Sequence, residues 1–293
     1  MRVRRRCFLA YVRLVERVRP SGIFGSRPAY KLARSLYLRL RVGRVVKITV
    51  DGEPWWVPVH DKYFTPALLM REQYEPAETR CVDEILRPGM TVLDVGAHVG
   101  YYACRAARLV GPRGRVYAVE PMPMNRRLLK RNLALRRLSW VVVLPVAASD
   151  QEGEQLLYLN AANSGDNRLA AHEDAGLQVR VRTACLDHLI PSAAVIHFIK
   201  MDVQGWEVHA LRGMVRLIAA NPRVVLLIEA WPSGLARAGS RIEELVAFCQ
   251  HAGLSPYLID AASGALVRAG LDSLLTASGP HGDAANVVFT AHP

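Results

Sequence analysis

From residue 91 onward, short apolar runs alternate with stretches whose apolar residues recur every three or four positions. The runs 91–95, 115–119, 140–144, 195–201, 223–229, 255–259 and 286–290 read as strands. The stretches 100–110, 123–137, 206–220 and 240–252 read as helices. This alternation predicts a doubly wound α/β fold, a mostly parallel seven-stranded sheet covered by helices. Residues 151–194 interrupt the pattern with antiparallel strands expected over 155–159 and 177–183. A helix is expected over 76–86, closed by Pro88-Gly89. Upstream, apolar runs at 45–50 and 55–59 flank Asp51-Gly52, a strong hairpin signal. Two amphipathic helices come first, one with Phe8, Tyr11, Val12, Val15 and Val18 on one face, the next with Leu32, Leu36 and Leu40. The chain thus divides into a helical and hairpin extension, 1–60, and an α/β domain, 61–293.

The most informative stretch lies at the first strand of that domain. An apolar run (Val92, Leu93, Val95) carries Asp94, breaks at Gly96 and Gly100, and enters an Ala- and Arg-rich helix. Glycines let a chain turn sharply and approach a ligand, and a helix start offers free N–H groups. The next strand ends in Glu120, 26 positions after Asp94. An acid there can accept both ribose hydroxyls of an adenosine. A dinucleotide loop wants G-x-G-x-x-G, its middle glycine leaving room for a pyrophosphate. Here the loop is Gly-Ala-His-Val-Gly, and His98 fills that room. S-adenosylmethionine has no phosphate and tolerates the side chain. In an open α/β sheet the ligand lies beyond the carboxyl ends of the strands. Asp94, Glu120, Asp150, Asp202 and Glu229 all fall there and mark one cleft.

Charge changes the picture of the extension. Residues 1–50 carry 14 Lys and Arg and one acid, Glu16, while the rest is nearly neutral. The formal net charge of +12 is therefore a property of the arm. A nucleic-acid enzyme would more often set its basic surface around the cleft. Two readings of the arm stand side by side: a basic amphipathic segment, 1–41, lying on anionic lipid, or a helix pair packed on the core with solvated arginines. No run of about 18 apolar residues occurs, and the short apolar stretch near the start lacks a cleavage site, so neither a membrane span nor secretion is expected. Five scattered cysteines argue for reduced thiols and a cytoplasmic protein.

Taken in order, Tyr74-Glu75-Pro76, Pro88-Gly89, residues 92–102, Val119-Glu120-Pro121, Asn132, residues 148–150, Leu186-Asp187, Lys200-Met201-Asp202-Val203-Gln204-Gly205-Trp206-Glu207, Leu211-Arg212-Gly213, Glu229 and Asn286 resemble the FkbM-type methyltransferases. These form a branch of the class I, Rossmann-like S-adenosylmethionine-dependent fold. The resemblance runs from about residue 74 to 290 and leaves out residues 1–50. It implies methyl transfer to a hydroxyl of a glycan, glycolipid or secondary metabolite, with S-adenosylmethionine as cofactor. It implies cofactor contacts from Tyr74, Glu75, Asp94, Gly96, Ala97, His98, Gly100, Tyr101, Glu120, Pro121, Ser149, Asp150 and Asp202. It implies catalytic roles for Asp202, Glu229, His98 and Lys200. The family usually has Asn where this chain has His98, which leaves open whether His98 lines the cofactor or also moves a proton. Asp202 and Glu229 could alternatively hold a divalent cation that lowers a hydroxyl pKa, but they lack a third ligand partner, so no metal site is assigned.

Rival classes are a non-catalytic lipid- or glycan-binding protein on this fold, an NAD-dependent oxidoreductase, and a nucleic-acid methyltransferase. His98 disfavours the oxidoreductase. Nucleic-acid amino-methyltransferases usually carry an (Asn/Asp/Ser)-Pro-Pro-aromatic loop after the fourth strand, where this chain has Asp202-Val203-Gln204-Gly205.

Overall fold

A computed structural model of the chain describes residues 2–170, 177–261, 263–276 and 284–292. The chain forms two compact units, one of residues up to Pro76 together with Asn160–Asp166, the other of the remainder. The first unit therefore takes in residues 61–76 as well as the arm and hairpin.

The first unit holds α1 (Arg2–Val18), α2 (Arg27–Leu40), the hairpin β1 (Val45–Val50) and β2 (Glu53–Pro58), and α3 (Phe64–Arg71). Asp51 and Gly52 both have positive φ, 50° and 75°, as a two-residue hairpin turn of the right twist requires. The apolar face of α1 is used up inside this unit. Phe8, Tyr11, Val12 and Val15 are buried, Phe8 packs edge-on against Tyr37 at 5.7 Å, and the Tyr11 hydroxyl donates to Ala33 O at 2.6 Å. That favours the packed helix pair over a stripe facing lipid. On α2 the expected stripe is the wrong face: Leu32 is 66% and Leu36 39% exposed, whereas Ala33 and Tyr37 are buried. Tyr37 wins the inner position because its ring fills the core and its hydroxyl reaches Val59 O at 2.7 Å. Arg19 ties the unit together through Thr49 O, Leu69 O and an ion pair with Glu72.

The second unit begins with α4 (Pro76–Ile85) and continues β3 (Thr91–Val95), α5 (Tyr101–Val110), β4 (Arg115–Val119), α6 (Pro123–Leu135) and β5 (Val141–Leu144). Next come β6 (Ala147–Ala148), β7 (Gly153–Leu159), β8 (Leu177–Ala184), α7 (Leu186–Leu189), β9 (Phe198–Met201), α8 (Glu207–Arg212) and α9 (Val215–Ala219). The chain closes with β10 (Val225–Ala230), α10 (Pro232–Arg237), α11 (Ile242–His251), β11 (Ser255–Ile259), β12 (Leu266–Arg268), α12 (Leu271–Thr276) and β13 (Ala285–Thr290). The central sheet runs β12-β11-β13-β10-β9-β3-β4-β5. The five strands from β10 to β5 are parallel, and β13 and β12 pair antiparallel to their neighbours. All seven expected strands are present, and the three-residue β12 adds an eighth at the edge. β7 and β8 form the expected antiparallel pair, with β6 completing a small separate sheet.

The central strands are buried on both faces, and Leu93, Ile199, Met201, Leu226 and Phe289 sit in one continuous core with helix residues such as Leu211 and Leu245. The helix expected over 206–220 is broken in two at Gly213 and Met214. The second piece starts anew with Asp187 accepting the Arg216 and Leu217 N–H groups at 2.8 and 2.9 Å, and Gly213 itself is packed tightly: a Cβ there would lie 2.1 Å from Ser149 O and 2.8 Å from its carbonyl carbon. Backbone atoms cannot yield as a flexible side chain can. Gly213→Ala is expected to lower stability by about 2–3 kcal/mol through overpacking, read as a drop in the denaturant midpoint; an unchanged midpoint would show that this junction relaxes freely.

Candidate active site

The loop after β3 is held by the protein itself. Gly96, His98 and Gly100 adopt positive φ of 88°, 51° and 94°. The Gly96 and Ala97 N–H groups both donate to Val119 O, at 3.0 and 2.9 Å, and Gly100 N–H donates to Ala97 O at 2.8 Å. A Cβ on Gly96 would lie 1.9 Å from Asp202 O, and one on Gly100 would lie 2.5 Å from Leu129 Cδ1. Gly96 is therefore demanded by close approach of the Asp202 backbone, and Gly100 by its positive φ, whatever they also give a ligand. Asn132 Nδ2 donates to Val99 O at 2.9 Å and ties α6 to the same loop.

Acids stand at the carboxyl end of each strand around this loop. Glu120, just past β4, is 5% exposed. Its Oε2 accepts the His98 N–H at 2.8 Å and its Oε1 accepts the Met122 N–H at 2.7 Å. Burial pushes its pKa up to about 8 against the pull of those two amides and of Arg126. Arg126 also donates to Pro121 O at 2.8 Å, fixing the turn after Glu120. In its ionised form each Glu120 oxygen keeps a second lone pair, so the side chain that clamps the loop can then accept ligand hydroxyls. Asp94, in β3 itself, is 1% exposed, and neither of its oxygens has a hydrogen-bond partner of normal geometry. Burial raises its pKa to about 6, while Lys200 draws it down and Asp202 pushes it up.

Across the sheet, Lys200 of β9 lies in register with Asp94. Its ammonium sits 3.0 Å from Asp202 Oδ2 and 5.0 Å from the centre of the Tyr102 ring. Gln204 Nε2 donates to Asp202 Oδ1 at 2.5 Å and to Glu229 Oε2 at 2.8 Å, so one carboxamide bridges two carboxylates. Burial alone would raise the Asp202 pKa; Lys200, Gln204 and the His98 ring outweigh it and hold Asp202 below its ordinary value. Glu207, fully buried, accepts the Val203 and Gly205 N–H groups at 3.1 and 3.2 Å and fixes the loop that carries Gln204. Burial raises its pKa to about 7.

Ser149 and Asp150 follow β6. Ser149 Oγ accepts from Trp206 Nε1 at 3.3 Å, and Asp150 lies 3.2 Å from His209 Nδ1. The His209 ring stacks on Trp206 at 4.1 Å. Asp150 is thus already engaged, and a ligand amino group would have to use its remaining lone pairs. Tyr101 is buried, its hydroxyl 3.4 Å from Thr79 Oγ1. Tyr74 and Glu75 belong to the first unit, where Tyr74 packs edge-on against Phe64 at 5.1 Å and Glu75 has φ 47°. The structure therefore gathers Asp94, Gly96, Ala97, His98, Gly100, Glu120, Lys200, Asp202 and Glu229 at one end of the sheet, with Ser149 and Asp150 after β6.

The family model described as the methyltransferase FkbM domain matches residues 94–253, more than half of the chain. The chain belongs to the FkbM methyltransferase family. Among curated proteins it is similar to a protein-L-isoaspartate O-methyltransferase of Methanothrix thermoacetophila, 50% identical over 52 residues, 18% of this chain and 25% of that protein. It is also similar to a ribosomal RNA large subunit methyltransferase E of Alkalilimnicola ehrlichii, 44% identical over 55 residues, 19% of this chain and 26% of that protein. The match thus spans about a quarter of the length of either relative. Among solved structures, the FkbM methyltransferase of Methylobacillus flagellatus KT shares 16% identity over 92% of this chain and 60% of that chain, TM-score 0.43. An rRNA methylase of Streptococcus thermophilus shares 11% identity over 73% of this chain and 93% of that chain, TM-score 0.45.

Within this FkbM domain, three participants carry no assignment from the sequence. Gln204 and Glu207 stand inside the stretch 200–207 that carries the resemblance, yet only the folded loop shows one bridging two carboxylates and the other holding two amides. His209 has no local signal beyond its position three residues after Trp206, which sets both rings on one helix face.

Three carboxyl groups in the cleft, Asp94, Glu120 and Glu207, have folded pKa values above the ordinary carboxyl range, at about 6, 8 and 7. A raised folded pKa means that the folded state binds more protons than the unfolded one between the two values, so stability falls as pH rises through that window. The ligand-free protein is expected to lose stability steadily from about pH 5 to pH 8 by this linkage. Denaturant midpoints across that range check it. Glu120→Gln should flatten the slope, and a slope of opposite sign would refute the assignment.

Proposed function

We propose that this chain is an S-adenosylmethionine-dependent O-methyltransferase acting on a hydroxyl of a glycan, glycolipid or secondary metabolite. The observation that carries the reading is the carboxyl end of the sheet, with Glu120 held between the His98 amide of the glycine loop and the Met122 amide after β4, and Asp94 buried with neither oxygen in a hydrogen bond of normal geometry. These donors and acceptors fit an adenosine-bearing cation: an unpartnered carboxylate seeks a donor or a positive charge, and a fixed one with spare lone pairs suits a diol. When bound, the cofactor supplies an electrophilic methyl group on a sulfonium.

Glu120 accepts the ribose hydroxyls, and the backbone of Gly96, Ala97 and Gly100 shapes the floor beneath them. Tyr101, Pro121, Ser149 and Asp150 complete the cofactor contacts. On the acceptor side, the work is to orient a hydroxyl and take its proton as charge builds on oxygen. Asp202, held ionised by Lys200, is a weak base; its task is to fix Lys200 and Gln204. Glu229, sharing Gln204 with Asp202, takes the proton. His98 lines the cleft between cofactor and acceptor. Most of the rate comes from aligning the reactants, with general base catalysis adding about 10²–10⁴-fold. The loop after β9, with Asp202 and Gln204 in place of a Pro-Pro-aromatic clamp, supports a hydroxyl over a nucleobase nitrogen. We place the protein in the cytoplasm, its basic arm at an anionic membrane face; with the apolar stripe of α1 spent inside its own unit, this attraction is electrostatic and screened by salt.

Incubation of a host extract with the protein and methyl-labelled cofactor should give products heavier by one methyl on oxygen. Glu229→Gln is expected to lower turnover by about 10²–10⁴-fold while cofactor affinity holds. Asp202→Asn should lose turnover as well, by releasing Lys200 and Gln204. Full activity in both variants would remove this pair from the mechanism, and methylation on nitrogen would overturn the acceptor class.

A further inference from the structure

The first unit contains a groove of about 710 Å³ between α1 and the hairpin strand β1. Five cations line it: Arg2, Arg5, Arg13, Arg44 and Lys47. Among the described residues, no hydrogen bond or ion pair engages any of these five side chains. The single acid in the lining, Glu16, is already spent, its Oε1 accepting the Thr49 N–H at 2.6 Å. Unpartnered like charges repel one another across a shared groove, and an arrangement of this kind is relieved by a bound anion.

The lining between the cations is apolar. Phe8 and Val12 form the floor, 1% and 3% exposed, and Leu9 at the side is 37% exposed. Single-stranded nucleic acid would need a row of open aromatic faces for base stacking; the Phe8 ring is closed to it, and Trp56, half-buried, is the one other aromatic side chain of the lining. Guanidinium forks match phosphate oxygens, and aliphatic side chains match hydrocarbon. We infer that this groove is a binding site for the phosphate headgroup of an acidic phospholipid, with Leu9 at its rim against the first carbons of the lipid. The site gives the membrane reading above a definite address on the chain, and it rests on that reading.

The test is sedimentation of the full chain with vesicles of phosphatidylglycerol mixed into phosphatidylcholine, against pure phosphatidylcholine, at moderate salt. The variant R5A/R13A/R44A removes three groove cations. The variant R113A/R115A/R223A removes three exposed cations of the second unit and matches it in charge. The groove variant is expected to bind the acidic vesicles about 100-fold more weakly, the product of three basic contacts, while the control variant binds nearly as the natural chain does. Cofactor titration of the groove variant should be unchanged, which separates this site from the methyl-transfer reading. Equal losses in both variants would overturn the groove while leaving diffuse membrane attraction standing. No binding to the acidic vesicles by the natural chain would overturn both. Free inorganic phosphate or RNA binding that is lost in the groove variant, without vesicle binding, would likewise overturn the lipid assignment.

Discussion

One buried ammonium holds the cleft together electrically. Parallel strands that end side by side bring their terminal acids close, and carboxylates taken out of water repel one another strongly. Lys200 is 5% exposed, in register with Asp94 and within 3.0 Å of Asp202. It draws both acids toward ionisation, and Asp202 alone ends below its ordinary pKa. Asp94, with no hydrogen bond of normal geometry, ends above. The difference between two acids that share one cation is the difference between direct contact and mere proximity. It also assigns their parts: Asp202 is committed to the protein, and Asp94 retains unused accepting capacity.

The second constraint is space. The loop after β9 can carry Gln204 to both Asp202 and Glu229 only because its surroundings are stripped of side chains. A Cβ on Gly205 would lie 2.5 Å from Gly234 O, and one on Gly234 would lie 2.2 Å from the Trp231 ring. Gly96 meets the Asp202 carbonyl in the same manner. These glycines link the geometry of the first strand end to those of β9 and β10, so a change at one end of the cleft propagates to the others through backbone rather than through rotatable groups. Glu207, with its two amide bonds, fixes the loop from below.

The strands were legible in the sequence because a sheet covered on both faces leaves uninterrupted apolar runs. The site was legible in outline for a related reason: the fold places its ligand at strand ends, and the acids stand directly after those runs. What escaped was whatever depends on contacts distant in sequence. Nothing in Asn-free Gly-Ala-His-Val-Gly says that Glu120 will grip the His98 amide from 22 positions away. Asp150 reads as an open acceptor until His209 is seen against it. On α2, leucines at helical spacing masked the inner role of Ala33 and Tyr37, since periodicity finds an apolar stripe but not which of two stripes meets the core. β12, at three residues, is too short to announce itself.

The central claim is that the β3–β4 end of the sheet holds an adenosine-bearing sulfonium through Glu120. Isothermal titration of the full chain and of Glu120→Ala with S-adenosylmethionine tests it most directly. The expected result is saturable binding by the natural chain, weakened in the variant by about 2–3 kcal/mol, the scale of two lost hydrogen bonds to a buried group. Binding of NAD in place of S-adenosylmethionine, or equal affinity in the two proteins, would contradict it.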